Sequence, residues 1–503
     1  MNSKFGRRVA TACALTAGGA LALTGCFSGG SGGGGSTDDA RISVAMLQPP
    51  NAGMSPFSDD IGKLTRLSIA ETLVNLNTDL EIEPMLATEW EQTDDTTWVF
   101  TLRDDVTFQD GTPFTAETVK NSLDKAVEAA PPPRALNGVE ISTEVTGEYE
   151  VTITTDAPDA LIPNRLASGQ LSMFAESAYG DDGTVNPEGT GTGPFVLTEL
   201  NGTTTATLDR FEDYWDDPAI LAGIDVSFVP DGAARAAAIR SGEADVAETI
   251  PVSQVSLLDE GQAHEVEMPR TTMLALNNSD GPFADPAVRA AARQAIDASG
   301  IIDSVYEGQA DFSGGLLGPA IPWAADLRGD VSSDVAPAKV DGVPITIATY
   351  SDRAENPEIL VQLESQLEAA GFEVTQDVRE YISLETEMLD GAFDAVVYSR
   401  GTLLDTGDPL SFLAADFSCD GGYNMTQLCD ENVDAIIERG SQAEAGPERQ
   451  QATIDAETAI LQQNAVIPIV NERVVQAETG TFVDIVRDPL ERRLISTETK
   501  PAE

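Results

Sequence analysis

The clearest pattern of apolar and polar positions lies between Val343 and Pro409. Val343 to Tyr350 (VPITIATY) reads as a strand, and Ser351 to Pro357 (SDRAENP) as the loop leaving it. Ile359, Leu360, Leu363 and Leu367 then recur at helical spacing, and Gly371 ends that helix. Phe372 to Val374 begins a second strand, and a short helix over Leu384 to Leu389 leads to a third. That strand runs from Phe393 to Tyr398, interrupted only by Asp394, and the turn residues Gly401, Thr406, Gly407 and Pro409 stop it. A β-α-β-α-β series with right-handed crossovers makes a parallel sheet. In open α/β sheets, ligands bind in loops at the carboxyl ends of strands. Arg353 and Asp405 sit in two such loops, one positive and one negative. The plain alternative is that both are solvated loop charges.

Upstream, Arg41 to Leu47 alternates as a strand, Pro49 to Pro56 is a loop, and Leu64 to Leu76 has helical spacing. Trp98, Phe100 and Leu102 alternate as a strand, Asp110-Gly111 is a turn, and Thr115 caps a helix carrying Val119 and Leu123. At the start of the chain, Lys4, Arg7 and Arg8 precede an apolar stretch, Val9 to Leu23, too short to span a membrane. Leu23-Thr24-Gly25-Cys26 follows and resembles a bacterial lipobox. Residues 1–25 are thus expected to be a lipoprotein signal peptide. Cys26 is the expected lipidation site, and 26–36, with GGSGGGGS, a flexible tether. The mature protein is expected to be exported and held at the outer face of the cytoplasmic membrane.

Charge and length narrow the classes. The 503 residues exceed what one core supports, and their hydrophobic content of 41% is enough for two or three. Against 84 Asp and Glu stand 29 Lys and Arg, a net charge of -55, which repels nucleic acid and anionic membrane. With Cys13 lost in the signal and Cys26 used as the anchor, Cys419 and Cys429 remain. An even pair in an exported chain implies a disulfide, and the competing two-cysteine metal site lacks further soft ligands nearby. Catalytic candidates are few. His264 is the single histidine and reads as a surface residue in GQAHEVE. No serine has a nucleophile-elbow context, and Gly189 to Gly193 (GTGTG) lacks the Lys-Ser/Thr ending of a P-loop. An enzyme is not expected, nor a cofactor or a protein-held metal.

A series of ordered blocks then carries a resemblance. They are Pro84-Met85-Leu86-Ala87 with Trp90, Phe100 to Arg103, and Phe108 to Phe114 (FQDGTPF). Gly191 to Phe195, Tyr214-Trp215, Ser241 to Asp245, Pro282-Phe283, Asp285-Pro286 and Val288-Arg289 continue it. From about Arg41 to the C-terminus the chain resembles the family 5 extracellular solute-binding proteins, the peptide- and nickel-binding proteins of bacterial ABC importers. The resemblance implies an α/β, two-lobe periplasmic-binding-protein-like fold (type II/cluster C) with an extra subdomain inserted in lobe I. Lobe I is then expected over 37–75, 189–272 and the tail 471–503, the insertion over 76–188, and lobe II over 273–470. Met273 to Leu276 and Ile467 to Val470 stand where the chain crosses between lobes.

The site loops are similar to those of the dipeptide-binding members. By that resemblance Arg353 pairs with a ligand carboxylate, Asp405 with its ammonium, and Cys419 and Cys429 form a disulfide after the second loop. Opposite charges at a set separation suit a zwitterion, and planar arginine suits a carboxylate. Asp408 reads as a turn-former before Pro409. Thr402, Leu403 and Leu404 replace an aromatic residue of the dipeptide binders, which leaves the side-chain pockets open. Nickel binding in the family uses a histidine that this sequence does not place, since His264 lies outside lobe II, so nickel is not expected. The implied partners are a short peptide, the permease's transmembrane subunits with cytoplasmic ATPase subunits, and the membrane through the lipid; a monomer is expected. Alternatives are another small solute (an opine, a sugar or a metal chelate) or a surface lipoprotein without a transport role.

The lipobox has a direct test. Cys26→Ala is expected to release the protein from the membrane fraction or leave it unprocessed, as read by fractionation and N-terminal mass spectrometry. A wild-type protein that is wholly soluble with an unmodified N-terminus contradicts it.

Overall fold

A computed structural model describes residues 39–503 apart from 79, 330, 404, 405, 444 and 445. Cys26 and Asp405 therefore lie outside the described residues. No helix among those described is long and apolar enough to cross a membrane.

One mixed sheet organises the chain. Its strands, in chain order, are β1 (Arg41–Met46), β2 (Phe195–Asn201), β3 (Thr205–Arg210), β4 (Gly223–Phe228), β5 (Val246–Ala247) and β6 (Ala263–Leu276). They continue with β7 (Ala310–Phe312), β8 (Val343–Tyr350), β9 (Phe372–Arg379), β10 (Ala395–Gly401) and β11 (Val466–Glu478). The spatial order is β9-β8-β10-β6-β11-β5-β1-β4-β3-β2, with β7 beside β11. On one flank β8 pairs in parallel with both β9 and β10. On the other flank β1 pairs in parallel with β4 and β5. Between them run the two long antiparallel strands β6 and β11, which carry Met273–Leu276 and Ile467–Val470 and pair with strands of both flanks. Their register breaks between Glu267 and Thr271 and again between Thr272 and Met273, around Pro269, which has no N–H to give a ladder.

The strand–helix series of lobe II follows its apolar pattern. Ile359, Leu360, Leu363 and Leu367 are fully buried on the helix Glu355–Ala370, and Gly371 ends it at φ 107°. The helix starts at Glu355, ahead of its first apolar residue, because Pro357 falls in the first turn, where its missing N–H costs nothing. β9 extends through Arg379, well past Val374, as an edge strand with half-buried polar residues. β10 is buried along its whole length, as expected of a strand covered on both faces.

The helix expected over Leu64 to Leu76 is not formed. Only Ile61–Arg66 is helical, Ser68 turns back at φ 53°, and Val74–Leu76 is a strand paired with Ile82–Pro84. Leu67, Ile69, Ala70, Leu73, Val74 and Leu76 are all buried, so the segment has no polar face whose period could distinguish helix from strand. What fixes its path is the GTGTG stretch. A Cβ on Gly191 would stand 2.2 Å from the Ile69 carbonyl oxygen, and one on Gly193 2.2 Å from that of Ser68. Gln109 ties the same crossing, its Nε2 donating to the carbonyls of Gly193 and Phe195, both at 2.9 Å.

Residues between the first strands and this crossing form a separate four-stranded antiparallel sheet. Its order is Ala87–Asp94, Thr97–Leu102, Glu150–Thr155, Ile141–Gly147. Trp98, Phe100 and Leu102 point inward together, and the helix Ala116–Glu128 buries Val119 and Leu123 in the same core. The N–H of Thr115 donates to Thr118 Oγ1 at 3.0 Å, one half of a capping box. Cys419 and Cys429 form a disulfide.

Away from the shared strands, the two flanks touch through a cluster of carboxyl groups. Asp59 precedes the helix Ile61–Arg66 on the β1 side, and Glu385 begins the short helix Glu385–Leu389 between β9 and β10. Asp59 accepts from Arg134 Nη1 and from the Tyr381 hydroxyl, both at 2.6 Å. Glu385 faces Tyr381 Oη at 3.3 Å and accepts from Asn51 Nδ2, and Tyr423 Oη lies 2.8 Å from Tyr381 Oη. Burial opposes ionisation of Asp59, but Arg134 and the Tyr381 hydroxyl hold its carboxyl well below the usual range. Burial and then the Asp59 charge push Glu385 up to about 8. The pair thus holds one proton at neutral pH.

Two predictions follow from this packing. Gly193→Ala is expected to cost about 1–3 kcal/mol, the range for forced overpacking, and to lower Tm in calorimetry. Because the Glu385 pKa is raised on contact, its contribution is fully present below the ordinary carboxyl value and is lost as pH rises through about 8. Thermal stability is therefore expected to fall across that window, and Glu385→Gln, which keeps the neutral form, is expected to flatten the slope.

Candidate functional site

The carboxyl ends of β1, β5, β8 and β10 converge on one cavity of about 140 Å³ between the two flanks. Met46 to Gln48 leave β1, Glu248 and Thr249 leave β5, Tyr350 and Arg353 leave β8, and Ser399 to Gly401 end β10. This is the rim at which open α/β sheets bind ligands. Tyr381 and Tyr423 supply further walls, and Glu491 reaches in from the C-terminal tail.

Six cationic side chains line this space in a chain of net charge -55. Each has a carboxylate beside it. Lys63 pairs with Asp60 and Arg66 with Glu248, both at 2.9 Å, and Arg134 with Asp59 at 2.6 Å. Arg270 pairs with Glu491, Arg353 with Glu472 at 2.9 Å, and Arg400 with Asp416 at 2.9 Å. Asp60, Asp416 and Glu472 stand behind the lining, so the surface facing the cavity carries more positive than negative groups.

Arg270, Arg353 and Arg400 are the buried arginines of this lining. Arg270 projects from β6, one of the shared strands, and its Nη1 donates to the Ser399 carbonyl at 3.3 Å. Its Nε is buried and finds no partner among the described residues. Burial, then repulsion from Arg353, lowers the Arg270 pKa to about 9 even though Glu472 pulls the other way. Burial is the largest influence on Arg353 and opposes its charge, but Glu472, Tyr350, Glu355 and Tyr306 together outweigh it and raise its pKa. Glu472, on β11, is held below its usual value by Arg353 and Arg270 against its own burial, and it also accepts from Thr272. Arg400 packs its guanidinium over the rings of Tyr423 and Phe412, 4.9 and 5.6 Å from their centroids. An anion placed among these groups relieves their mutual repulsion, and desolvation strengthens its attraction to each.

Of the residues expected from the sequence, Arg353 is buried at this cavity and already engaged with Glu472. Asp405 lies outside the described residues. Asp408 does not face the cavity; it caps the helix Pro409–Phe417 by accepting from the Leu410 N–H at 3.1 Å and pairs with Arg449. His264 is no open surface residue. It is half-buried on β6 with Nε2 3.6 Å from Glu478, and its pKa is lowered first by burial. No group of three His, Cys, Asp or Glu able to hold a metal occurs among the described residues. Sequence reasoning missed Arg270 and Arg400. Both stand within or at the end of apolar strand runs, in a chain where basic residues are scarce, and that combination is the signal that marks them.

The comparisons with known proteins agree with this geometry. The model of the bacterial extracellular solute-binding proteins, family 5 (middle), matches residues 81–424. The nickel-binding protein NikA of Staphylococcus aureus is 28% identical over 431 residues, covering 83% of this chain and 84% of its own length. The crystal structure of S. aureus NikA in complex with Ni(L-His)2 superposes with a TM-score of 0.83 at 23% identity, over 92% of this chain and all of that one. The dipeptide binding protein of Pseudoalteromonas sp. SM9913, in complex with Met-Leu, gives a TM-score of 0.80 at 19% identity over the same shares. With a two-lobed sheet, a strand-end cavity between the lobes and a family match over most of its length, this chain belongs to the bacterial extracellular solute-binding proteins of family 5.

Proposed function

We propose that this protein captures a small carboxylate-bearing solute, foremost a dipeptide, and delivers it to the transmembrane subunits of an ABC importer. A lipid on Cys26 holds it at the outer face of the membrane. The observation that carries the reading is the set of buried guanidiniums at the cavity, Arg270, Arg353 and Arg400, in so acidic a chain. Each is already balanced by a carboxylate, but one buried donor, Arg270 Nε, has no acceptor among the described residues, and a guest carboxylate supplies one. In this reading Arg353 and Arg270 take the carboxylate and Asp405 takes the ammonium. Closure of the lobes then removes water from both ends of the zwitterion.

A second reading is a metal chelate built from amino acids, favoured by the likeness to S. aureus NikA. Here the metal is cargo coordinated by its own small ligands, and the arginines hold their carboxylates.

Mass spectrometry of small molecules released on denaturing the purified protein separates the two readings. In calorimetry, Arg353→Ala and Asp405→Ala are each expected to weaken dipeptide binding roughly 100-fold, from about 3 kcal/mol per stranded charge. C-amidation of the ligand mimics the first variant and N-acetylation the second. Peptides longer than the charge spacing bind poorly. If long or doubly capped peptides bind as tightly as free dipeptides, the clamp is wrong. Tight binding of a nickel–histidine complex, with no response to dipeptides, selects the second reading.

A further inference from the structure

On the outer side of lobe II, a second cavity of about 260 Å³ lies between the helix Pro286–Ala295, the segment from Val331 to Pro337, and Leu461 with Asn464. Arg289 and Arg293 are one turn apart on that helix and share a face. Arg289 is spent on backbone carbonyls, donating to Phe283 at 2.7 Å and Gln463 at 3.0 Å. Those bonds fix the helix against the turn at Gln463 and Asn464, and so set Arg293 beside the cavity. Arg293 has no such partners. Among the described residues its Nη1 is buried without a hydrogen bond, and its pKa is lowered by burial, with no carboxylate answering it.

Asn464 lines the same cavity. It closes the helix Pro447–Gln462 at φ 51°, is 4% exposed, and leaves its Nδ2 buried without a partner. Ser333 Oγ accepts from the Val335 N–H at 3.4 Å and so keeps its own hydrogen to donate. No Asp or Glu lines this space among the described residues, although the chain has 84 of them. Among the described residues, a positive charge is thus kept half out of water with no counter-ion, next to a buried amide donor and a hydroxyl. Unmet buried donors cost stability unless a guest supplies acceptors.

We infer that Arg293, Asn464 and Ser333 form a site for a small oxyanion, of the phosphate or carboxylate class, separate from the interlobe cavity. A planar guanidinium and an amide suit the several oxygens of an oxyanion, which a spherical halide satisfies less well. Bound there, the anion ties the helix Pro286–Ala295 to the end of the helix Pro447–Gln462.

Differential scanning fluorimetry at constant ionic strength, with phosphate, acetate or chloride as probe, tests this. Phosphate or acetate is expected to raise the wild-type Tm saturably, by roughly 1–3 °C, above the chloride baseline. Arg293→Gln is expected to lose that increment while keeping the interlobe cavity, which separates this site from the arginines there. Asn464→Asp builds the missing counter-ion into the chain, so it is expected to raise Tm without any added anion and to abolish the response. A phosphate increment of equal size in wild type and both variants overturns the site. A saturable response to chloride as large as to phosphate overturns the oxyanion assignment.

Discussion

Placing positive charge in a low-dielectric space inside a strongly negative protein is the constraint on which the rest of the architecture depends. Arg270, Arg353 and Arg400 are nearly out of water, yet each is held by a carboxylate from a different part of the chain. Glu491 comes from the tail, Glu472 from a shared strand and Asp416 from the helix after the β10 loop. The cavity therefore exists only when remote segments are assembled. Removing one carboxylate strands a buried cation, at the several kcal/mol typical of a broken buried pair. Long-range attraction of anions by the surface is absent at this net charge, so any preference of the cavity for an anion is local.

Much of the fold is legible in the residues. The β8-to-β10 series follows from two clean periods and a glycine stop, and Thr115 marks its helix by chemistry alone. The failure at Leu64 to Leu76 has a definite cause: with nearly every apolar side chain buried, period carries no information, and the path is set by two distant glycines pressing on Ser68 and Ile69. No local pattern contains that contact.

The site divides in the same way. Arg353 is readable because a strand end and a resemblance both point to it. Arg270 and Arg400 belong to strands whose apolar runs advertise packing, and only the pairing of β6 with β10 brings the two arginines together. The Asp59 and Glu385 contact is likewise invisible in a chain with so many acids, since what distinguishes those two is the burial they share.

The shared strands have a mechanical side. A lobe that closes by bending β6 and β11 does so most readily where their ladder is already broken, between Glu267 and Met273. Arg270 lies inside that break, and Glu472 stands across from it on β11. On the proposed function, the recognition charge is thus mounted on the axle rather than on the jaws. In that same reading, a guest that pulls on Arg270 applies torque directly at the pivot, with no loop in between to absorb it, and occupancy and shape share the same few backbone atoms.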